Sequence, residues 1–166
     1  YDAVALVHNE TSTGVMSDMN EIGSIFEEFP DVFLLVDAVS SMAGIEIQVD
    51  YNNIDFILAS TQKAWGLPAG FSIASVSNKF IQQSMNIPNK GYIMDVATYE
   101  KYYSKNQTPY TPSIPHLFGL KKVLEIIFNE GIENRWKRHQ DMAAYVQQWA
   151  LDMGQSLYAN EGFRSY

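Results

Sequence analysis

The sequence contains no cysteine, so it can form no disulfide, no thiolate metal site and no thiol nucleophile of its own. Positive charge is scarce: 11 Lys and Arg stand against 19 Asp and Glu in 166 residues, a formal net charge of −8, and no basic patch of five or more residues occurs. An acidic chain without a basic patch repels phosphate backbones and anionic lipid, which argues against nucleic acid and membrane surfaces as partners. Small molecules and other proteins remain. No apolar run is long enough to cross a bilayer and no basic-then-apolar leader pattern stands in these residues, so a cytoplasmic location is expected. The two Asn-x-Thr matches, at Asn9 and Asn106, then count as chance. What is present is apolar material: 46% hydrophobic against 18% charged, enough for a real core in a chain of one-domain length.

Residues Tyr1 to Val7 read as a β-rich run, as if the chain starts inside a sheet, which is the expectation for a fragment. The polar segment HNETSTGV follows and predicts a loop. Asp18 and Glu21 fit a capping box for a helix with Ile22, Ile25, Phe26 and Phe29 on one stripe, stopped by Pro30. Val32 to Val36 is apolar on both faces, as a buried parallel strand should be, and it runs into Asp37 and AVSSMAG. Ile54 to Ala59 predicts a third strand. It ends in Ser60, Thr61, Gln62 and Lys63, and the breaker-rich GLPAG leads to a fourth strand in FSIASV.

Short helices are expected near Asn78 to Met85 and Val96 to Ser104. Ser113 and Pro115 suit the cap and first turn of a helix bearing Leu117, Leu120, Val123, Leu124, Ile127 and Phe128, ending near Gly131. A long helix should follow, with Ile132, Trp136, His139, Ala143, Val146, Ala150 and Met153 on one face and Gly154 beyond its end. The closing QSLYANEGFRSY reads as the entry to another strand.

In open α/β sheets, ligands bind outside the carboxyl ends of the strands. Three such ends carry polar tips here: Thr11 to Thr13, Asp37, and Gln62 with Lys63. A carboxylate at a partly buried rim needs a cationic partner, and a partly desolvated lysine is a better nucleophile. That pairing suits a Schiff-base cofactor, with the lysine holding an aldehyde and the acid keeping a pyridine nitrogen protonated. The competing readings are ordinary: a solvated surface lysine, and an Asp that caps a turn. The three histidines show no metal-ligand spacing, and His139 falls on an apolar stripe as a packing residue would. Trp136 and Trp149 read as packing, and Trp65 as a residue at the mouth of the site.

The segments HNETSTG, LLVDAVSS and DFILASTQKAWGLPAG, in this order, resemble the class V aminotransferases among the fold-type I pyridoxal-phosphate enzymes. The wording is nearest the alanine or serine:glyoxylate (pyruvate) aminotransferases, with the phosphoserine branch also similar. The resemblance implies a three-layer α/β fold with a mostly parallel sheet, part of an aspartate aminotransferase-like large domain over residues 1–132, and the start of a small C-terminal α/β domain over 133–166. It implies pyridoxal 5′-phosphate as cofactor, Lys63 as the Schiff-base lysine and Asp37 as the acid on the pyridine nitrogen. Thr11 matches the hydroxyl on the cofactor's phenolic oxygen, Val39 the apolar residue under the ring, and Gln62 a side chain near the phosphate. Tyr110 and Ser113 match a pair that reaches across a homodimer interface to the partner's phosphate, with Ser113 standing for a common Thr.

Family members are longer, and the resemblance implies a phosphate-binding loop before Tyr1 and a carboxylate-clamping arginine after Tyr166. Residues 1–166 alone are therefore expected not to turn over an amino acid and a 2-oxo acid. A cysteine desulfurase is the rival within the fold, but such enzymes carry a His before the lysine where this chain has Gln62. A non-enzymatic binding domain is the rival outside it, since sheets of this kind host many functions.

Overall fold

The computed structural model describes all residues, 1–166. Its sheet is built from β1 (Ala3–Val7), β4 (Phe33–Asp37), β5 (Phe56–Ser60) and β6 (Ser72–Val76), in the spatial order β1-β4-β5-β6. The first three are parallel, and β6 runs antiparallel to β5. The carboxyl ends of β1, β4 and β5 therefore share one rim, and the residues that follow each strand are carried to the same edge. This is the mostly parallel α/β sheet expected from the apolar runs.

The doubly apolar β4 is the reason the core sits where it does. Leu34 and Val36 on one face are fully buried with Ile57 of β5, and Met19, Ala38 and Ile54 complete the cluster. Burying each of the large aliphatics contributes about 2 kcal/mol. Helix α1 (Met19–Phe26) covers this face through Met19, Ile22 and Phe26. It lies so close to the turn before Ile54 that a Cβ on Gly23 would sit 2.7 Å from the Asn52 Cα, so only glycine fits there. Asp55, buried at the start of β5, accepts hydrogen bonds from the Leu34 amide (3.1 Å), the Ser77 hydroxyl (2.7 Å) and the Lys79 ammonium (3.2 Å). That carboxylate is structural, tying β4 and β5 to the start of α2 (Asn78–Met85).

Helices α3 (Val96–Tyr103), α4 (Ile114–Glu130) and α5 (Ile132–Asp152) follow close to the expected spans. No helix is long and apolar enough to cross a membrane. Four expectations need correction. The HNETSTGV segment is a small hairpin, with β2 (Asn9–Glu10) paired antiparallel to β3 (Val15–Met16), because its turn places Gly14 at φ 68° and lets Glu10 accept from Ser12. The capping box at α1 is half made: Asp18 accepts from the Asn20 and Glu21 amides, and Glu21 returns no bond.

The C-terminal segment forms no strand beyond a single antiparallel bridge of Arg164 to Val15. It lies along the hairpin instead, with Met16 donating to the Phe163 carbonyl (2.8 Å) and Ser165 to that of Gly14 (2.9 Å). Finally, the apolar stripe of α5 is covered unevenly. Trp136, His139, Ala143 and the small Ala150 are half-buried, whereas Val146 and Met153 are exposed, with Trp149 beside them.

Candidate functional site

The rim of the parallel strands brings three loops together. The first leaves β1 at His8, whose amide donates to the Asp37 carbonyl (2.9 Å), so the hairpin bearing Thr11 hangs directly over the end of β4. Thr11 and Ser40 share a hydroxyl-to-hydroxyl hydrogen bond of 2.5 Å, which joins the first loop to the second. Asp37 ends β4 half-buried. One of its carboxylate oxygens accepts from the Val39 amide (2.8 Å), an Asx turn that fixes the side-chain rotamer, and its other oxygen carries no hydrogen bond. Val39 is half-buried one step further along.

The third loop, residues 61–71, connects β5 to β6 and carries Gln62 and Lys63, both exposed. Thr61 organises it from a fully buried position: its hydroxyl reaches the carbonyls of Pro68 (2.7 Å) and Phe71 (3.2 Å), and its own carbonyl accepts from Leu67 (2.9 Å). Gly66, at φ 69°, closes the tight turn by donating to the Lys63 carbonyl (2.9 Å). The backbone of Lys63 is thus held at both ends of a short turn. Its ammonium makes no hydrogen bond or ion pair, whereas four of the other seven lysines, Lys79, Lys90, Lys122 and Lys137, are each paired with a carboxylate.

The outlying candidates are placed differently. Tyr110 sits in an aromatic cluster, 4.9 Å from the Tyr92 ring and 6.0 Å from the Tyr99 ring between centroids, and its hydroxyl donates to the Tyr92 carbonyl. Desolvation, with these neighbouring phenols, raises its pKa above the usual tyrosine range. Tyr110 makes no hydrogen bond to the loops after β4 and β5. Ser113 does occupy the position before α4, but it caps no helix amide; its hydroxyl bonds His116 Nδ1 at 2.7 Å. His116 Nε2 in turn donates to the Ala69 carbonyl (3.2 Å), and the ring stacks on Phe71, so Ser113 and His116 pin α4 to the third loop. Trp65 also departs from its expected place. It lines an apolar hollow of about 450 Å³ with Met42, Ile57 and Trp136, so it faces the packing beneath α4 and α5.

Two features had no warning in the sequence. His8, buried beside the rim, has Nδ1 2.8 Å from the Ser41 hydroxyl, and burial lowers its pKa from 6.5 to about 4. Because the folded value lies below the unfolded one, stability is full above pH 6.5 and falls as the pH drops from there toward 4. The unfolded chain takes up the proton first, for a loss of about 3 kcal/mol across that window. Replacing His8 by Gln should flatten the pH dependence of the denaturation midpoint between pH 6.5 and 4; an unchanged slope would assign it to other groups. The second feature is Arg135 on α5, whose guanidinium reaches the backbone of both the second and third loops.

The aminotransferase class-V family profile matches residues 1–160. An uncharacterized aminotransferase of Methanocaldococcus jannaschii is 39% identical over 165 residues, which cover 98% of this chain and 43% of that protein. A serine–glyoxylate aminotransferase of Arabidopsis thaliana is 35% identical over 90% of this chain and 39% of its own length. Among solved structures, an alanine–glyoxylate aminotransferase from Nostoc sp. superposes with a TM-score of 0.91 at 31% identity, over 99% of this chain and 44% of that one. The chain thus spans about two-fifths of the relatives it matches. Fold, family match and the order of the rim residues agree: the chain belongs to the class-V aminotransferases, whose cofactor is pyridoxal phosphate.

Proposed function

We propose that this chain is the cofactor-binding portion of an aminotransferase that moves an amino group from a small amino acid of the serine or alanine type to a small 2-oxo acid of the glyoxylate or pyruvate type. The observation that carries the reading is the shared rim. A free lysine ammonium, a carboxylate with one unengaged oxygen, and a hydroxyl on a loop bound to the carboxylate's loop stand at the ends of adjacent parallel strands. That donor set fits pyridoxal phosphate: an amine for its aldehyde, an anion for its ring N–H, a hydroxyl for its phenolic oxygen.

When bound, the cofactor supplies an electron sink for the carbanion left when the amino acid loses its α-proton. The side chains do the rest. With the cofactor bound, Lys63 Nζ would be the amine that takes its aldehyde, as the Schiff-base lysine, and the base that moves the α-proton of the amino acid. Asp37 would hold the proton of the ring N–H through its unengaged oxygen. Thr11 would donate to the phenolic oxygen, Val39 would supply the apolar contact to the ring and Gln62 a polar side chain toward the phosphate. Tyr110 and Ser113 would serve the site of a second copy in a homodimer, for which the Ser113 hydroxyl would exchange its bond to His116 for one to the partner's cofactor phosphate. Residues 1–132 belong to the large domain and residues 133–166 open the small one.

The test is chemical. The intact protein loaded with pyridoxal phosphate should absorb in the visible, the band should move when alanine or serine is added and return with glyoxylate, and borohydride should fix the cofactor on the peptide containing Lys63. A folded, loaded protein in which borohydride marks another lysine, or none, overturns the assignment.

A further inference from the structure

Arg135 lies on the first turn of α5, with its side chain only 11% exposed. Its Nε donates to the carbonyl of Ala43 at 2.9 Å and its Nη2 to the carbonyl of Ala64 at 2.5 Å. The first acceptor belongs to the loop that follows Asp37, and the second is the residue immediately after Lys63. One planar guanidinium therefore spans the two loops that carry the acid and the lysine. Its Nη1 pairs with Glu130 at 3.2 Å, and Glu130 is braced in turn by Arg138. The charge is thus satisfied on the helix side, while the fork of donors is spent on two backbone oxygens.

Two further observations show that the loops need holding. Ala43 has φ 73°, a left-handed conformation unfavourable for a residue with a Cβ, and such strain persists only where surrounding contacts determine it. Beside it, a Cβ on Gly44 would approach the Ala64 Cβ to 3.1 Å, so the two loops touch directly where the guanidinium bridges them. His139, one helical turn beyond Arg135, closes over the same glycine. A shift of either loop would change the separation of Lys63 from Asp37, and a proton transfer that needs the acid and the lysine in register on one ligand tolerates little misplacement.

We infer that Arg135 is a positioning residue for the reaction: it clamps the Asp37 loop to the Lys63 loop and so sets the distance between the acid and the lysine. The inference rests on the function proposed above. It also makes α5 more than a connection, because a rotation of that helix would be felt at both loops through a single side chain.

The test uses the pyridoxal-phosphate-loaded protein with Arg135→Gln and Arg135→Lys. Lysine keeps the charge and the pairing with Glu130, but one ammonium cannot reproduce the planar fork across two carbonyls. If the role were only an ion pair, lysine would restore wild-type behaviour. The clamp predicts that both variants bind cofactor and are labelled by borohydride at Lys63, yet lose about tenfold to a hundredfold in kcat with KM for the amino donor unchanged. It also predicts that the circular dichroism of the visible band shrinks while the absorbance stays, since that signal reports the asymmetry of the bound ring. If Arg135→Gln does not fold, Arg135→Lys carries the same readouts. Wild-type kcat and circular dichroism in Arg135→Lys would overturn the clamp while leaving the proposed function intact; failure of Lys63 to take cofactor in the wild-type protein would overturn both.

Discussion

Substituting Lys63 by Ala in the pyridoxal-phosphate-loaded protein should lower the rate of transamination between alanine or serine and glyoxylate by about three orders of magnitude, while leaving the fold in place. The two halves of this expectation have separate structural grounds. The fold survives because the Lys63 side chain is exposed and bonds nothing in the protein, and because the turn around it is held by backbone and by Thr61, Gly66 and Leu67. The rate falls because no neighbour can take over. Gln62 cannot accept and return a proton, and no other lysine stands in the loops that follow β1, β4 and β5. Steady-state kinetics with an unchanged melting temperature checks it; a loss of less than tenfold would show that Lys63 is not the proton carrier. An added small amine that restores part of the rate would support the role directly, because it supplies the missing base without repairing any packing.

The parts of this arrangement that could be read from sequence are those written in local patterns. A strand apolar on both faces, VFLLV, can only be buried in a sheet with layers on each side, and its terminal Asp37 is carried to the rim by the strand itself. The turn of Lys63 was legible for the same reason, as Gly and Pro punctuate the exit from β5. The hairpin at Asn9 to Met16 was not, since strands of two residues are too short to show any alternation. Nor was Arg135, whose acceptors are backbone carbonyls 92 and 71 residues away. A carbonyl is the same in every residue, so a contact of that kind leaves no trace in side-chain types. The motif residues came with the family resemblance, but what aligns them is visible only in three dimensions.

Asp37→Asn is the sharper probe of the acid, because the amide is the same size and its oxygen can still accept from the Val39 amide, so the Asx turn and the rotamer are retained. Only the charge is lost. The role proposed for Asp37 is to hold a proton on the ring nitrogen, and a neutral amide cannot stabilise that cation at a half-buried rim as a carboxylate does. The expected outcome is a fall in kcat of about a hundredfold to a thousandfold, with cofactor still fixed to Lys63 by borohydride and the denaturation midpoint unmoved. Asp37→Glu separates charge from position. It keeps the anion but lengthens the side chain, so its carboxylate can no longer both accept from Val39 and meet the ring in the same place. Partial recovery of kcat in the Glu variant, beyond that of Asn, would show that charge governs the rate. Equal and severe losses in both would give the greater part to geometry, and near-normal turnover in Asp37→Asn would remove the acid from the reaction altogether.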